Sequence, residues 1–350
     1  MSGKIKSWVL ERVPFDLEAT THMMSEVLLK EPIPGHMKNW FYALGATPLL
    51  LFGIQVITGM LLTFYYVPSP DTAYQSVRYI MHDVRLGFWI RGIHHWSATL
   101  MIIFLFIHMG RVFFTRAYRK PREINWMIGV LMLVLTLGLG LTGYALVYNQ
   151  LSYWATTVGT NMLKEIPLIG MPLLHLLRGG ETVNPNTLTR FFNLHIGFLP
   201  TILFGLIVLH ILIVRLHGVS ELEGREGEPS YSFYPEHFYH TILLGLMLLI
   251  FVSALSIINP PAVGSPANPN VTPHHIKPEW YFFAIYSILK IIPLQTGVYL
   301  FTLLLLTAFF WPFLDDAVRR KWPRVRMHFW VGSAAILGFL FFTVWETIQP

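Results

Sequence analysis

Cysteine is absent from this chain of 350 residues, and charged residues are scarce. Without a thiol, the chain forms no disulfide, thiolate metal site or thioether-linked cofactor. Charged residues make up 13% of the sequence, compared with roughly 25% in soluble domains, while hydrophobic residues make up 54%. This composition predicts an integral membrane protein, so the net charge of +6 is better explained by topology than by binding to nucleic acid.

Seven apolar segments are long enough to cross a bilayer. They cover residues 40–66, 88–114, 126–147, 191–214, 238–258, 298–314 and 329–345. We therefore expect an all-α membrane protein with seven transmembrane helices. Residues 1–24 lack the apolar core and cleavage site of a signal peptide, so we expect them to stay on the mature chain.

Lysine and arginine are distributed unevenly between the two sides of the predicted membrane. With the N-terminus inside, most of them fall on inner segments, as Arg319, Arg320 and Lys321 do. Inner connections of membrane proteins carry such an excess, whereas residues that merely solvate helix ends would show no preference. We expect a multi-pass protein of the bacterial cytoplasmic membrane, with its N-terminus inside and its C-terminus outside.

The connections divide the chain into two parts. Residues 218–235 are rich in Gly, Glu and Pro, which predicts an inner linker between a four-helix part, residues 1–217, and a three-helix part, residues 236–350. The connection before the fourth span is long and apolar, which favours short amphipathic helices on the outer face. The connection before the sixth span is rich in proline, which favours an extended path.

Glycine and histidine alternate along the first four spans. The successive pairs are Gly45 and Gly59, His94 and His108, Gly129 and Gly143, and His195 and His210. An interval of 14 residues turns a helix back to within about 40° of its starting face and advances it about 21 Å. His94 and His108 therefore face the same way, whereas His95 would point roughly 140° away from His108. This geometry favours His94 over His95 as the functional residue.

The second and fourth spans run parallel, which brings His94 to the depth of His195 and His108 to the depth of His210. Each pair can place two imidazoles across one flat metal centre, and two axial histidines make haem iron an electron-transfer centre. A single polar residue in a span is more often part of an interhelical hydrogen bond. Four histidines at matched depths favour the metal centres, which makes the first four spans a di-haem bundle.

Glycines and arginines surround the histidines. The four glycines lie at the histidine depths, where a missing side chain admits a porphyrin edge, although glycines also mediate ordinary helix packing. Arg91, Arg111 and Arg215 each lie near one end of a histidine span, where they can pair with haem propionates. As single residues they are explained equally well as topology-setting flanks.

The motifs around these residues resemble those of the cytochrome b family of quinol-oxidising bc-type complexes, and the resemblance extends nearly from end to end. They are RGIHHWSATLMIIFLFIHMGR, LTGYALVYNQLSYWA, TLTRFFNLHIGFLPTILFGLIVLH and KPEWYFFAIYSILK. The resemblance implies two non-covalent b haems, an outer one bound by His94 and His195 and an inner one bound by His108 and His210. It also implies a Rieske iron-sulfur protein, a c-type cytochrome and a homodimeric complex as partners.

The seven spans and the 15-residue interval from His195 to His210 resemble cytochrome b6 joined to subunit IV of the b6f complex. One position departs from that pattern. Where cytochrome b6 has a cysteine that tethers an extra c-type haem, this chain has Ala43. A covalent third haem is therefore not expected.

The sequence Pro278, Glu279, Trp280 and Tyr281 is by itself a good helix start, since proline and glutamate favour a first turn. The resemblance makes it a quinol-site motif instead, in which Glu279 accepts a proton from bound quinol and Tyr281 lines the same pocket. We expect Tyr144, Tyr153 and Trp154 to line this pocket, although interfacial anchoring explains these aromatic residues equally well.

The resemblance implies quinol oxidation outside, electron transfer inward through both haems and quinone reduction inside, which couples electron flow to proton translocation. Candidates for the inner quinone site are His22, Glu26, Arg215 and His217, by position alone. Two alternatives remain open at this stage. One is a di-haem membrane anchor of a dehydrogenase, and the other is a haem-free transporter whose histidines relay protons.

Overall fold

The computed structural model describes residues 3–13, 32–38, 44–220, 227, 229–273 and 276–349. It confirms an all-α membrane protein. The predicted inner-site residues His22 and Glu26, together with Ala43, lie outside the described residues. The segments 221–226 and 228 of the predicted linker also lie outside them.

The helices follow one another along the chain with short turns or long connections between them. They are α1 (Gly3–Arg12), α2 (Ala46–Thr63), α3 (Ala73–His82), α4 (Gly87–Phe114), α5 (Glu123–Ala145), α6 (Gln150–Asn161), α7 (Gly170–Arg178), α8 (Pro185–Asn193), α9 (Leu199–His217), α10 (Phe238–Ile258), α11 (Phe283–Ile291), α12 (Leu294–Phe309), α13 (Trp311–Lys321) and α14 (Met327–Ile348). Two three-residue strands, β1 (Pro32–Pro34) and β2 (Ser230–Ser232), pair antiparallel with Ile33 opposite Tyr231.

Six of the described helical stretches are long and apolar enough to cross a membrane: α2, α4, α5, α8 joined to α9, α10 with the turn before it, and α14. The sixth predicted span, residues 298–314, is represented by α12 and α13, which are bent by 70° at their junction. The predicted segment 298–314 therefore does not continue as one straight helix. The expected short helices before the fourth span are α6 and α7.

Proline explains the bend between α12 and α13. Pro312 has no N–H to donate to the carbonyl of Ala308, so a straight helix cannot continue through it. The indole Nε1 of Trp126 donates a 2.7 Å hydrogen bond to that carbonyl. The third span therefore supplies this carbonyl with a side-chain donor in place of the missing N–H of Pro312, at the point where the chain turns away.

The core lies where α4 packs against α2 and α10 and where α9 packs against α5. Its fully buried members include Leu51, Ile213 and Val252. The axes of α4 and α10 approach closely, because a Cβ added at Gly92 would lie 2.7 Å from the Cβ of Ser256. Large apolar side chains on the opposite faces, such as Phe64 and Leu337, are exposed, as expected for surfaces in contact with lipid.

The outer connections are held by side chains that satisfy backbone groups. Asn149 begins α6 with a capping box, in which its side chain and that of Ser152 bond reciprocally to the two backbone N–H groups. The Asn149 amide also donates to the carbonyl of Val263, and Gln150 Nε2 donates to that of Val271. The extended connection after α10 is therefore docked on the start of α6.

Candidate functional site

His94 and His195 face each other between α4 and the fourth span. Their ring centroids lie 6.2 Å apart, with an interplanar angle of 74°. Two imidazoles bound to one metal through bonds of about 2 Å, with ring centres about 1.1 Å behind each nitrogen, would have centroids about 6 Å apart. The observed separation therefore fits two axial ligands of a single iron.

In each of these two imidazole rings, a threonine hydroxyl lies within hydrogen-bond distance of Nδ1. Thr58 Oγ1 lies 2.9 Å from Nδ1 of His94, and Thr142 Oγ1 lies 3.2 Å from Nδ1 of His195. Each hydroxyl donates its proton to a backbone carbonyl one turn earlier, Ile54 for Thr58 and Gly138 for Thr142. Each oxygen is thus left to accept a proton from Nδ1, which assigns the lone pair to Nε2. This is the tautomer that binds a metal through Nε2.

A π-helical turn, Leu194–Phe198, contains His195 and joins α8 to α9. The N–H of Leu199 donates to the carbonyl of Leu194, five residues earlier. Such a turn accommodates one extra residue within a continuous helix. It explains why an interval of 15 residues separates His195 from His210 while the other three intervals are 14.

His108 on α4 and His210 on α9 are the pair predicted for the inner level. Nδ1 of each ring is buried and makes no hydrogen bond of normal geometry with the described residues. Within the described ranges, no group of three or more His, Cys, Asp and Glu side chains is arranged to hold a metal ion. A haem requires only two protein ligands, so the facing pair His94 and His195 fits that group.

Each glycine of the repeat lies beside a histidine of the predicted depth. A Cβ added at Gly45 would lie 3.5 Å from Cε1 of His108, and one added at Gly59 would lie 3.2 Å from Cε1 of His94. The corresponding distances are 4.0 Å from Gly129 to His210 and 2.5 Å from Gly143 to His195. The missing side chains at Gly59 and Gly143 therefore make room for the imidazoles themselves, whereas a Cβ at Gly45 or Gly129 would meet its histidine at ordinary contact distance.

Gly143→Ala is expected to displace His195 and lower the content of bound haem. Its Cβ would lie 2.5 Å from Cε1 of His195, and overpacking of this kind costs roughly 1–3 kcal/mol. Haem content per chain and thermal stability of the purified protein measure the effect. Gly138→Ala in the same helix is the control, because its Cβ would meet Leu199 at an ordinary 3.9 Å. Equal haem content in both variants would contradict the expectation.

The three predicted arginines lie at helix ends but make different contacts. Arg91 donates a 2.8 Å hydrogen bond to the carbonyl of Pro261 in the extended outer connection. The guanidinium of Arg215 lies 4.3 Å from the ring centroid of Phe233. Arg111 occupies the last turn of α4. Their role towards propionates stays a prediction.

The Pro278–Tyr281 segment leads into α11 through a short 3₁₀ turn, Trp280–Phe282. Burial raises the pKa of Glu279 above its usual range. Tyr281 is 8% exposed, and its hydroxyl packs on α5, because a Cβ added at Gly140 would lie 2.7 Å from it. Burial raises the pKa of Tyr281, and the charges of Glu279 and Tyr144 add to the effect. Glu279, Tyr144 and Tyr281 therefore lie together at the outer end of α5.

Tyr153 and Trp154 lie on α6. The ring of Tyr153 contacts those of Tyr148 and Trp154 edge to face. Tyr153 also lines a small cavity between α5, α6 and α8, whose lining does not include the Pro278–Tyr281 segment. Their role in a quinol pocket stays a prediction.

The model of a family described as Cytochrome b/b6/petB matches residues 28–218, and one described as Cytochrome b(C-terminal)/b6/petD matches residues 266–349. The chain belongs to the cytochrome b family. This cytochrome b is 44% identical to cytochrome b6 of Heliobacterium modesticaldum over 215 residues, which cover 61% of this chain and 99% of that protein. The predicted resemblance is thereby confirmed.

Two further relatives resemble most of this cytochrome b. The cytochrome bc complex cytochrome b subunit of Chlorobaculum thiosulfatiphilum is 38% identical over 303 residues, which cover 83% of this chain and 70% of that protein. A solved structure described as Hyperthermophilic respiratory Complex III has a TM-score of 0.79 at 29% identity, covering 98% of this chain and 91% of that one. The chain is therefore a cytochrome b of the kind found in bc-type complexes, and its family implies b-type haem.

The pattern of glycines and histidines did not reveal the threonines. Thr58 precedes Gly59, and Thr142 precedes Gly143. The repeated Thr-Gly pair at the outer level of both glycine spans is a signal that could have identified them. The closeness of Gly140 to Tyr281 joins residues far apart in the chain and has no local signal.

Proposed function

We propose that this cytochrome b oxidises quinol at the outer side of the membrane and reduces quinone at the inner side, coupling electron flow to proton translocation. The observation that carries the proposal is the facing pair His94 and His195, 6.2 Å apart, with both Nδ1 atoms held by threonines. The family membership favours this function over a dehydrogenase anchor or a haem-free transporter.

Four histidines would hold two b haems, His94 and His195 the outer one and His108 and His210 the inner one. When bound, the haems supply one-electron carriers across the membrane. The outer ligands are held by the protein itself: threonines orient the two imidazoles, and Gly59 and Gly143 leave space beside their rings. Arg91, Arg111 and Arg215 would pair with propionates, since a buried anion needs such a partner.

Glu279 would accept a proton from quinol bound at the outer side. A carboxylate with a raised proton affinity is suited to this role, because it binds the proton and later releases it to water. Tyr281 and Tyr144 would line the same pocket, with Pro278 and Trp280 shaping its entrance. Tyr153 and Trp154 would border it from α6.

The inner quinone site is proposed near the inner ends of α1 and α9. His217 Nε2 lies 3.2 Å from the carbonyl of Glu11, and Arg12 donates a 2.9 Å hydrogen bond to Glu123 at the start of α5. Arg215 lies two residues before His217 on the last turn of α9. The N-terminal helix is thereby attached to the end of α9 and the start of α5.

We also propose the assembly and its setting. Residues 1–217 form the di-haem part, 218–235 the inner linker and 236–350 the quinol-motif part. The complex contains a Rieske iron-sulfur protein and a c-type cytochrome, forms a homodimer and lies in a bacterial cytoplasmic membrane with the N-terminus inside and the C-terminus outside.

Haem stoichiometry and quinol oxidation of the purified complex test the proposed function together. Reduced-minus-oxidised spectra are expected to show b-type bands equivalent to two haems per chain, and duroquinol is expected to reduce them. Absence of b-type bands would exclude both haem-containing functions and favour the haem-free transporter. If the intact complex contains two haems per chain but does not oxidise quinol, the result would favour the di-haem anchor of a dehydrogenase.

A further inference from the structure

Glu346 lies near the outer end of α14 and is completely buried, although α14 is otherwise an apolar span. Its carboxylate is bound by two side chains of α11. Lys290 Nζ lies 2.5 Å from Oε1, and Ser287 Oγ donates a 2.9 Å hydrogen bond to Oε2. Both carboxylate oxygens are therefore bound from the helix that follows the Pro278–Tyr281 segment.

The backbone of the same residue binds the chain that precedes this segment. Lys277 Nζ donates to the carbonyl of Glu346 at 3.0 Å and to that of Gln349 at 2.5 Å. A lysine at a helix C-terminus satisfies carbonyls that have no partner in the helix and interacts favourably with the helix dipole. Lys277 stands two residues before Glu279. The end of α14 therefore also binds the chain on the N-terminal side of the Pro278–Tyr281 segment.

A third contact joins α11 to the residue that precedes Lys277. Tyr286 Oη of α11 donates a 2.6 Å hydrogen bond to the carbonyl of Ile276, and Lys290 Nζ lies 4.5 Å from the ring centroid of Tyr286. The two ends of the segment 276–290 are thus tied to each other and to the last turn of α14. The segment between them carries Glu279 and Tyr281.

A buried carboxylate is costly compared with an apolar side chain of the same size, and a buried ion pair often adds little net stability. Its retention in a span is therefore poorly explained by stability and better explained by the geometry that it imposes. We infer that Glu346 is a positioning residue for quinol oxidation, which fixes both flanks of the Pro278–Tyr281 segment so that Glu279 and Tyr281 keep their places at the outer end of α5. This inference rests on the proposed function.

The test compares variants of the purified complex in duroquinol oxidation, with kcat expressed per b haem and KM measured separately. Glu346→Gln keeps the shape of the side chain but removes the charge that binds Lys290. It is expected to lower kcat roughly ten- to hundredfold, because small displacements of reacting groups cost that much, with little change in KM. A purely structural residue would lower the yield of complex and leave kcat per haem unchanged.

Lys290 supplies the second variant, because its side chain is 44% exposed and its replacement disturbs the fold less. Lys290→Gln is expected to lower kcat in the same direction, and Lys290→Arg is expected to restore most of it. Thr347→Ala is the matched control in the same turn of α14, since Thr347 is exposed and its hydroxyl bonds to Thr343 of its own helix. It is expected to leave kcat unchanged.

Unchanged kcat per haem in Glu346→Gln and Lys290→Gln would overturn the inference, as would an equal loss in Thr347→Ala. If Glu346→Gln fails to assemble, Lys290→Gln decides in the same assay. Failure of the proposed function would look different, because the wild-type complex would then oxidise no duroquinol at all.

Discussion

His94→Ala is expected to abolish binding of the outer haem while the inner haem remains. The variant removes one of two facing imidazoles, and a haem held by the single remaining histidine would dissociate or change its spectrum. The b-type absorbance per chain should fall by about half. Electron transfer from duroquinol to the inner haem through the outer side should stop as a result.

His95→Ala provides the matched control, because the two residues are neighbours in sequence. The ring of His95 packs edge to face on Trp96, with centroids 5.4 Å apart, and does not form part of the facing pair. Both haems should be retained in this variant. Loss of haem from His95→Ala with retention in His94→Ala would reverse the assignment of the ligand.

Glu279→Gln is expected to lower the rate of quinol oxidation by roughly 10²- to 10⁴-fold, the usual contribution of a positioned proton acceptor. Glutamine has nearly the same shape but cannot accept the proton, so both haems should remain bound with normal spectra. Steady-state duroquinol oxidation and haem content measure the two effects. Glu181→Gln, at an exposed carboxylate between α7 and α8, should change neither.

The pH dependence of the wild-type complex provides a second test of Glu279. Burial raises the pKa of this carboxyl, so its protonated form persists to a higher pH than that of a solvated glutamate. Only the ionised form accepts a proton, so the rate should rise with pH through the raised pKa. Glu279→Gln should lack this rise, and an identical pH profile in the two proteins would show that another group accepts the proton.

Periodicity was sufficient to predict the first four spans and the depth of each glycine relative to the histidines. The 14-residue intervals fix both depth and direction along a regular helix, which is why Gly59 lies beside His94 and Gly45 beside His108. Regular periodicity fails where the helix itself changes. The π-helical turn at His195 and the bend before Trp311 depend on hydrogen bonds with five-residue spacing and on proline.

Contacts between distant residues were the part of the site that periodicity could not predict. Glu346 follows an apolar run, and nothing near it in sequence indicates that Ser287 and Lys290 bind its carboxylate. Gly140 and Tyr281 meet for the same reason, by packing of two helices from different parts of the chain. Such pairs require the tertiary fold, because helical spacing describes only one helix at a time.

The connection after α10 is docked on Asn149 and Gln150, so the two parts of the chain contact each other away from the linker that joins them covalently. These bonds, together with the close approach of Gly92 to Ser256, join the two halves on the side opposite to the inner linker. A polypeptide severed between residues 218 and 229 would keep both fragments associated through contacts that need no covalent tether. The same fold is therefore compatible with synthesis as one chain or as two.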